Sequence, residues 1–236
     1  MNLSSLLDTL FPAGHDTNVT RQVITGTAHT ALGPVTLLGT VDAAAISHDI
    51  ALRLASLVLE CIDQHPGRPL IFLVDTQGQA LSRSEELLCL NGSLAHLARC
   101  VDLARQRGHV SLSLITGEAV SGGLLSFGLM ADRVYALGSA QVRVMDLKAM
   151  ARVTKIPHER LVALAASSPT FAPGADNYQR MGAIEDLWHV PSAALLEQAL
   201  TQQHAEPSAR DQRMQQGHER GGRAHALAIV TAVLAA

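Results

Sequence analysis

The stretch Leu114-Ile115-Thr116-Gly117-Glu118-Ala119-Val120-Ser121-Gly122-Gly123-Leu124 concentrates the residue types best suited to chemistry. An apolar strand runs into a turn, and a glycine pair then opens a helix. Glycine has no Cβ, so a substrate can approach the backbone there. The first amides of a helix lack acceptors within it, and the helix dipole adds about half a positive charge at that end. Gly122 and Gly123 are thus candidate backbone donors to an oxyanion, a contact whose loss typically raises a barrier by ~2.7–4 kcal/mol. The plainer alternative is that the two glycines only let the helix pack closely on a sheet. Ser121 sits at the strand-to-helix corner, where hydrolases place a nucleophile, but Glu-Ala-Val-Ser-Gly-Gly departs from G-x-S-x-G. Capping the helix is the simpler use of its hydroxyl. Gly117 and Glu118 join the candidates: Glu118 either orients the turn, contacts another subunit or transfers a proton.

A second set follows the apolar run Pro69 to Asp75, in Val74-Asp75-Thr76-Gln77-Gly78-Gln79. Open parallel sheets gather the loops at their strands' carboxyl ends on one side, which would bring Thr76, Gln77 and Gly78 near the glycine pair as substrate-binding candidates. Asp75 is best read as bonding local amides and shaping the turn. Eleven histidines show no recognised ligand spacing, so no metal site is expected. His29, His48, His96 and His189 read as structural. Cys61, Cys89 and Cys100 are odd in number and show no paired motif, which suits buried thiols in a reducing, cytoplasmic compartment.

The elements that must hold these residues follow from periodicity. Thr20 to Val41 alternates like an antiparallel meander, turning at Gly33-Pro34. Residues 47–64 repeat apolar positions at helical spacing behind Ser47. Strands are predicted at 69–75, 110–115, 133–137 and 141–144, with helices at 85–107 and 122–131 between them. The continuous apolar character of the first two marks strands buried on both faces of a parallel sheet. Beyond 146 the pattern is mainly helical: 146–153, 157–166, a short element at 184–190, 191–205 and 208–234, the last with a candidate break at Gly221-Gly222. The reading is one α/β domain over 1–236, with a βαβ core at about 15–145 and a helical extension at about 146–236.

Composition closes off other classes. Net charge −3 gives no electrostatic footprint for nucleic acid, and 3% aromatic residues leave few stacking platforms. The start of the chain lacks a signal-peptide pattern, and the apolar run 226–236 is shorter than the ~20 residues a membrane span needs. With 47% hydrophobic and only 17% charged residues, a face covered by another subunit is expected.

The two candidate loops resemble those of the carboxyltransferase subunits of biotin-dependent acyl-CoA carboxylases, in the crotonase-like superfamily. Those subunits carry V-D-T-P-G, a long helix, G-E-G-G-S-G-G-A and A-D-R-V. Here the same order stands as Val74 to Gly78, helix 85–107, Gly117 to Leu124 and Ala131-Asp132-Arg133-Val134. Gln77, Ala119-Val120 and Leu124 depart from that pattern and weigh against biotin handling. Over nearly its whole length the chain is most similar to the gamma subunits of biotin-independent malonate decarboxylases. The tail carries this through Phe171-Ala172-Pro173-Gly174, Tyr178, Met181-Gly182-Ala183 and Asp186-Leu187-Trp188.

The resemblance implies a crotonase-like (ClpP/crotonase) β-β-α spiral paired with a homologous beta subunit, and an active site at their junction. It implies a carboxy-lyase: a malonyl thioester on an acyl-carrier subunit loses carbon dioxide to give an acetyl thioester, and an acyl-transferase subunit exchanges the acyl group. The acyl carrier bears a phosphopantetheine-type, CoA-like arm, and no biotin or directly bound cofactor is expected. Gly122 and Gly123 then serve either the departing carboxylate or the enolate. The alternatives are a non-catalytic structural partner of the beta subunit, a carboxyltransferase subunit of a biotin-dependent complex, or a serine hydrolase using Ser121.

Overall fold

A computed structural model describes residues 1–168, 172–205, 211–223 and 226–236. Three antiparallel strands, β1 (His15–Thr20), β2 (Val23–Thr30) and β3 (Gly33–Thr40), form a meander, but it begins before the predicted Thr20 and turns at Ala31-Leu32, with Gly33 and Pro34 already paired to Thr30 and His29 in β3 rather than forming the turn. β3 then pairs in parallel with β5 (Leu70–Gln79), and β6 (Ser111–Val120), β7 (Arg133–Leu137) and β9 (Asp186–Trp188) continue the sheet in parallel. Two three-residue strands lie off this path: β4 (Ala44–Ile46) pairs with the end of β5, and β8 (Gln141–Arg143) with the end of β6.

The sheet is covered on both faces, which explains the unbroken apolar run of β5. Leu70, Phe72 and Val74 point into one core with α2 (His48–Gln64) and, after the 83–87 helix α3 (Arg83–Leu87), α4 (Leu90–Gln106). Ile71 and Leu73 point into the other, with α1 (Leu3–Leu10) and helix 193–205. Each α2 apolar residue at helical spacing, from Ala51 to Cys61, is buried, and Ser47 caps the helix by accepting the Ile50 N–H at 3.2 Å.

Several predicted boundaries differ. The helix expected at 85–107 is two, because Cys89 takes a left-handed conformation at φ 55°. Ser82 starts α3 by accepting the Glu85 N–H, and the Glu85 carboxylate in turn accepts the His48 N–H at 2.6 Å, which ties the short helix to the start of α2. The small-residue helix is shorter than expected: α5 (Ser121–Ser126) ends at Phe127 and a 3-10 turn follows at Gly128–Met130. After β8 come α6 (Leu147–Thr154), α7 (His158–Ser167), α8 (Ala175–Arg180), α9 (Ala193–Ala205), α10 (Arg213–Glu219) and α11 (Ala226–Leu234). The helix predicted over 208–234 is broken at the expected Gly221-Gly222 position into α10 and α11; its predicted start at Ser208 lies outside the described residues, as do Phe171 and His225. No helix among the described residues is long and apolar enough to cross a membrane.

Candidate functional site

The two loops expected beyond β5 and β6 are continuations of those strands. β4 extends the ladder along Thr76 to Gln79, and β8 does so along Glu118 to Val120, with a register shift between Val74 and Thr76. Thr76 pairs with Ala119, so the two candidate segments lie side by side, as predicted.

Asp75 joins them. Its Oδ1 accepts the Glu118 N–H at 2.9 Å. A Cβ at Gly117 would stand 2.5 Å from that same Oδ1, so glycine is needed for the carboxylate to reach the amide. Glu118 turns away to ion-pair with Arg143 of β8 at 2.6 Å, both side chains about one-third exposed. That ion pair braces β6 against β8.

Thr76 is fully buried. Its hydroxyl donates to Ala44 O at 2.7 Å and accepts the Gly78 N–H at 3.0 Å. These two bonds fasten the end of β5 to β4 and fix the turn at Gly78. Gly78 is buried at φ +102°, with Ser121 and Val120 within 3.2 Å of where a Cβ would stand, so it allows the two segments to close on each other. Gln77 is exposed.

At the corner, Val120 is extended and Ser121 adopts φ +50°, a left-handed conformation that is costly outside glycine. Ser121 is not the helix cap: its Oγ donates to Val144 O at 2.8 Å, just beyond β8. Among the described residues no histidine bonds to it.

Gly122 is half-buried, and its N–H donates to the side-chain carbonyl of Gln79 at 3.0 Å. An oxygen atom therefore sits against an amide in the first turn of α5. Gly123 is buried; a Cβ there would come within 2.6 Å of Thr76 Oγ1 and 3.0 Å of Ile46 Cγ1. The two glycines thus differ, Gly122 facing an exchangeable side chain and Gly123 packed on the floor. Leu94 of α4 borders Gly122, 3.3 Å from where its Cβ would stand. Nearby at the start of α2, His48 Nδ1 and Ser93 Oγ share a 2.6 Å hydrogen bond, so this imidazole is held in place.

Sequence reasoning named Gln77 but not Gln79, and missed Arg143 and Leu94. The alternation within Thr-Gln-Gly-Gln carries the missing signal only once the segment is known to be a strand, since residues 77 and 79 then share a side. Among the described residues no three His, Cys, Asp or Glu side chains are grouped to hold a metal.

A family model described as malonate decarboxylase gamma subunit matches residues 42–236. A Malonomonas rubra protein named malonyl-S-ACP:biotin-protein carboxyltransferase is 35% identical over 123 residues, which is 51% of this chain and 42% of that one. The chain therefore matches less than half of that relative's length. Among solved structures, a Pseudomonas malonate decarboxylase hetero-tetramer in complex with coenzyme A has a chain at TM-score 0.79 and 26% identity, with 97% of each chain covered. The Pseudomonas MdcD-MdcE hetero-dimer gives TM-score 0.74 and 27% identity, covering 98% of this chain and 95% of that one. Transcarboxylase 12S shares the fold, at TM-score 0.67 and 16% identity over 88% of this chain and 42% of that one.

Proposed function

The chain belongs to the malonate decarboxylase gamma subunit family, and from this we propose that it forms, with a homologous beta subunit, the centre that decarboxylates a malonyl thioester. The thioester is carried on the phosphopantetheine-type arm of an acyl-carrier subunit, and an acyl-transferase subunit supplies the malonyl group. The carbon-carbon bond to the carboxylate breaks, carbon dioxide leaves, and the electron pair passes into the thioester carbonyl as an enolate. A proton added at carbon then gives the acetyl thioester.

The observation that carries this reading is the Gln79 oxygen seated on the Gly122 amide at 3.0 Å. An oxyanion hole needs a donor held rigid before charge develops, because only contacts stronger in the transition state than in the ground state accelerate a reaction. Gly122 meets that requirement. Its position is fixed by the buried Gly123 behind it, by the Ser121 bond to Val144 and by the Asp75 bond to the neighbouring strand. An incoming enolate or carboxylate oxygen would displace the neutral Gln79 carbonyl and make the stronger, charge-assisted bond. We read the reaction as biotin-independent, because Gln77, Ala119, Val120 and Leu124 replace residues of the biotin-dependent pattern.

A second reading, that this chain is a structural partner and its sister does the chemistry, draws on the same bond, since Gly122 is already satisfied within the chain. Replacing Gly122 with Val in the assembled complex separates the two. The added side chain meets Gln79 and Leu94 and closes the approach to the amide. With assembly intact, the proposal expects kcat for malonyl thioester decarboxylation to fall by about 100-fold or more. A wild-type rate in an intact complex would leave the structural reading standing.

A further inference from the structure

Residues 143–160 hold five Lys and Arg residues, Arg143, Lys148, Arg152, Lys155 and Arg160, against two carboxylates, in a chain whose net charge is −3. The chain's two lysines both fall here, Lys148 within α6 and Lys155 at its end. Lys148 and Arg152 are four residues apart, so they share one side of α6. α7 brings His158 opposite them. With Asp146 and Leu147 these residues line an open surface cavity of about 680 Å³, in which Lys148 and Arg152 are exposed.

The charges in this cavity do not cancel. Asp146 is committed to capping α6, its Oδ1 accepting the Ala149 N–H at 2.7 Å. Among the described residues no carboxylate ion-pairs with Lys148 or Arg152, whereas Arg143, two positions before α6's lead-in at Met145, is neutralised by Glu118. Unpaired cations facing a cavity that Leu147 lines on its apolar side suit an anion carried on an apolar stem. A planar guanidinium and a compact ammonium together are well matched to phosphate oxygens. The cavity is also tied to the candidate site, because Val144, between β8 and α6, accepts the Ser121 hydroxyl at the glycine corner.

We propose that this cavity binds the phosphate of the pantetheine-type arm that delivers the malonyl thioester, with Lys148 and Arg152 as its ligands. The inference rests on the proposed function for the identity of the arm. The shared chemistry is the phosphate, whether the arm hangs from the carrier subunit or belongs to free coenzyme A.

The test measures binding of 4′-phosphopantetheine and of pantetheine, which lacks the phosphate, to the assembled complex by calorimetry. Three forms are compared: wild type, Lys148→Ala/Arg152→Ala, and Lys148→Arg/Arg152→Lys. Loss of two charge-assisted contacts is expected to weaken 4′-phosphopantetheine about 10- to 100-fold in the alanine form, and to leave pantetheine unchanged. The exchanged form should keep most of the affinity. Repeating the titration with the phosphopantetheinylated carrier and with coenzyme A shows which source uses the cavity, and a loss for either supports the assignment. Equal affinities for 4′-phosphopantetheine in wild type and alanine form, or equal losses for both small probes, would overturn it. Phosphate binding is read without turnover. A complex that binds 4′-phosphopantetheine through these residues yet releases no carbon dioxide from malonyl thioester refutes the proposed function and not the cavity.

Discussion

At the scale of single residues, the site turns on which oxygen occupies the Gly122 amide. Gln79 holds it at 3.0 Å, so any substrate oxygen must compete with a side chain of the same chain. Substituting Gln79 with Ala removes the competitor while leaving the β4 to β5 ladder, which is made by backbone groups. Because an ordinary neutral hydrogen bond is worth about 0.5–1.5 kcal/mol net, KM for the malonyl thioester is expected to fall roughly 2- to 10-fold. Steady-state kinetics of the complex check this, and unchanged KM and kcat would show that the amide does not receive substrate oxygen. The glycines themselves were legible in the sequence, because two adjacent glycines after an apolar strand have few uses. Their division of labour was not. Gly122 and Gly123 look alike as letters, and only the floor built from Thr76 and Ile46 separates the accessible one from the buried one.

At the scale of elements, the joint between the antiparallel meander and the parallel sheet rests on one close approach. Gly39 pairs with Leu73 across β3 and β5 at φ +150°, and a Cβ at that position would overlap the Leu73 backbone, 2.7 Å from its N. Backbone cannot yield as a flexible side-chain tip does, so Gly39→Ala is expected to destabilise the fold by about 3 kcal/mol or more. Urea unfolding measures it, and a loss below about 1 kcal/mol would mean that the two strands separate at little cost. The strands on either side of this joint were readable because burial on both faces leaves an unbroken apolar run. The extensions of β5 and β6 were hidden, since their partners β4 and β8 are only three residues each and carry no periodicity to detect. The break at Cys89 was hidden for a different reason. Leucine spacing continues across it, and the short helix before it is held by a partner remote in sequence, the start of α2, which bonds Glu85.

At the scale of the whole molecule, ionisable groups lie inside both cores. Burial pushes the Cys61 and Cys100 thiols and the Tyr178 phenol up from their ordinary values, on the α2 and α4 side of the sheet. On the other side burial, reinforced by Glu185 and Asp186 and opposed by Arg133, pushes Tyr135 from 10.0 to about 12, where its ring lies 4.8 Å from that of Trp188. In each case the folded state holds its proton to higher pH than the unfolded chain. Stability from these groups is therefore complete below their unfolded pKa values and is lost as pH rises toward the folded ones. For Tyr135 alone, two pH units correspond to on the order of 3 kcal/mol, lost between about pH 10 and 12. Trp188 is the chain's one tryptophan and reports on this core directly. Its emission should show the urea midpoint falling from about pH 9 upward, and Tyr135→Phe, which keeps the ring contact and removes the ionisable hydroxyl, should flatten the portion of the fall above pH 10. A midpoint that holds level from pH 9 to 11, or an equal fall in the Phe variant, would place the alkaline sensitivity outside these buried groups.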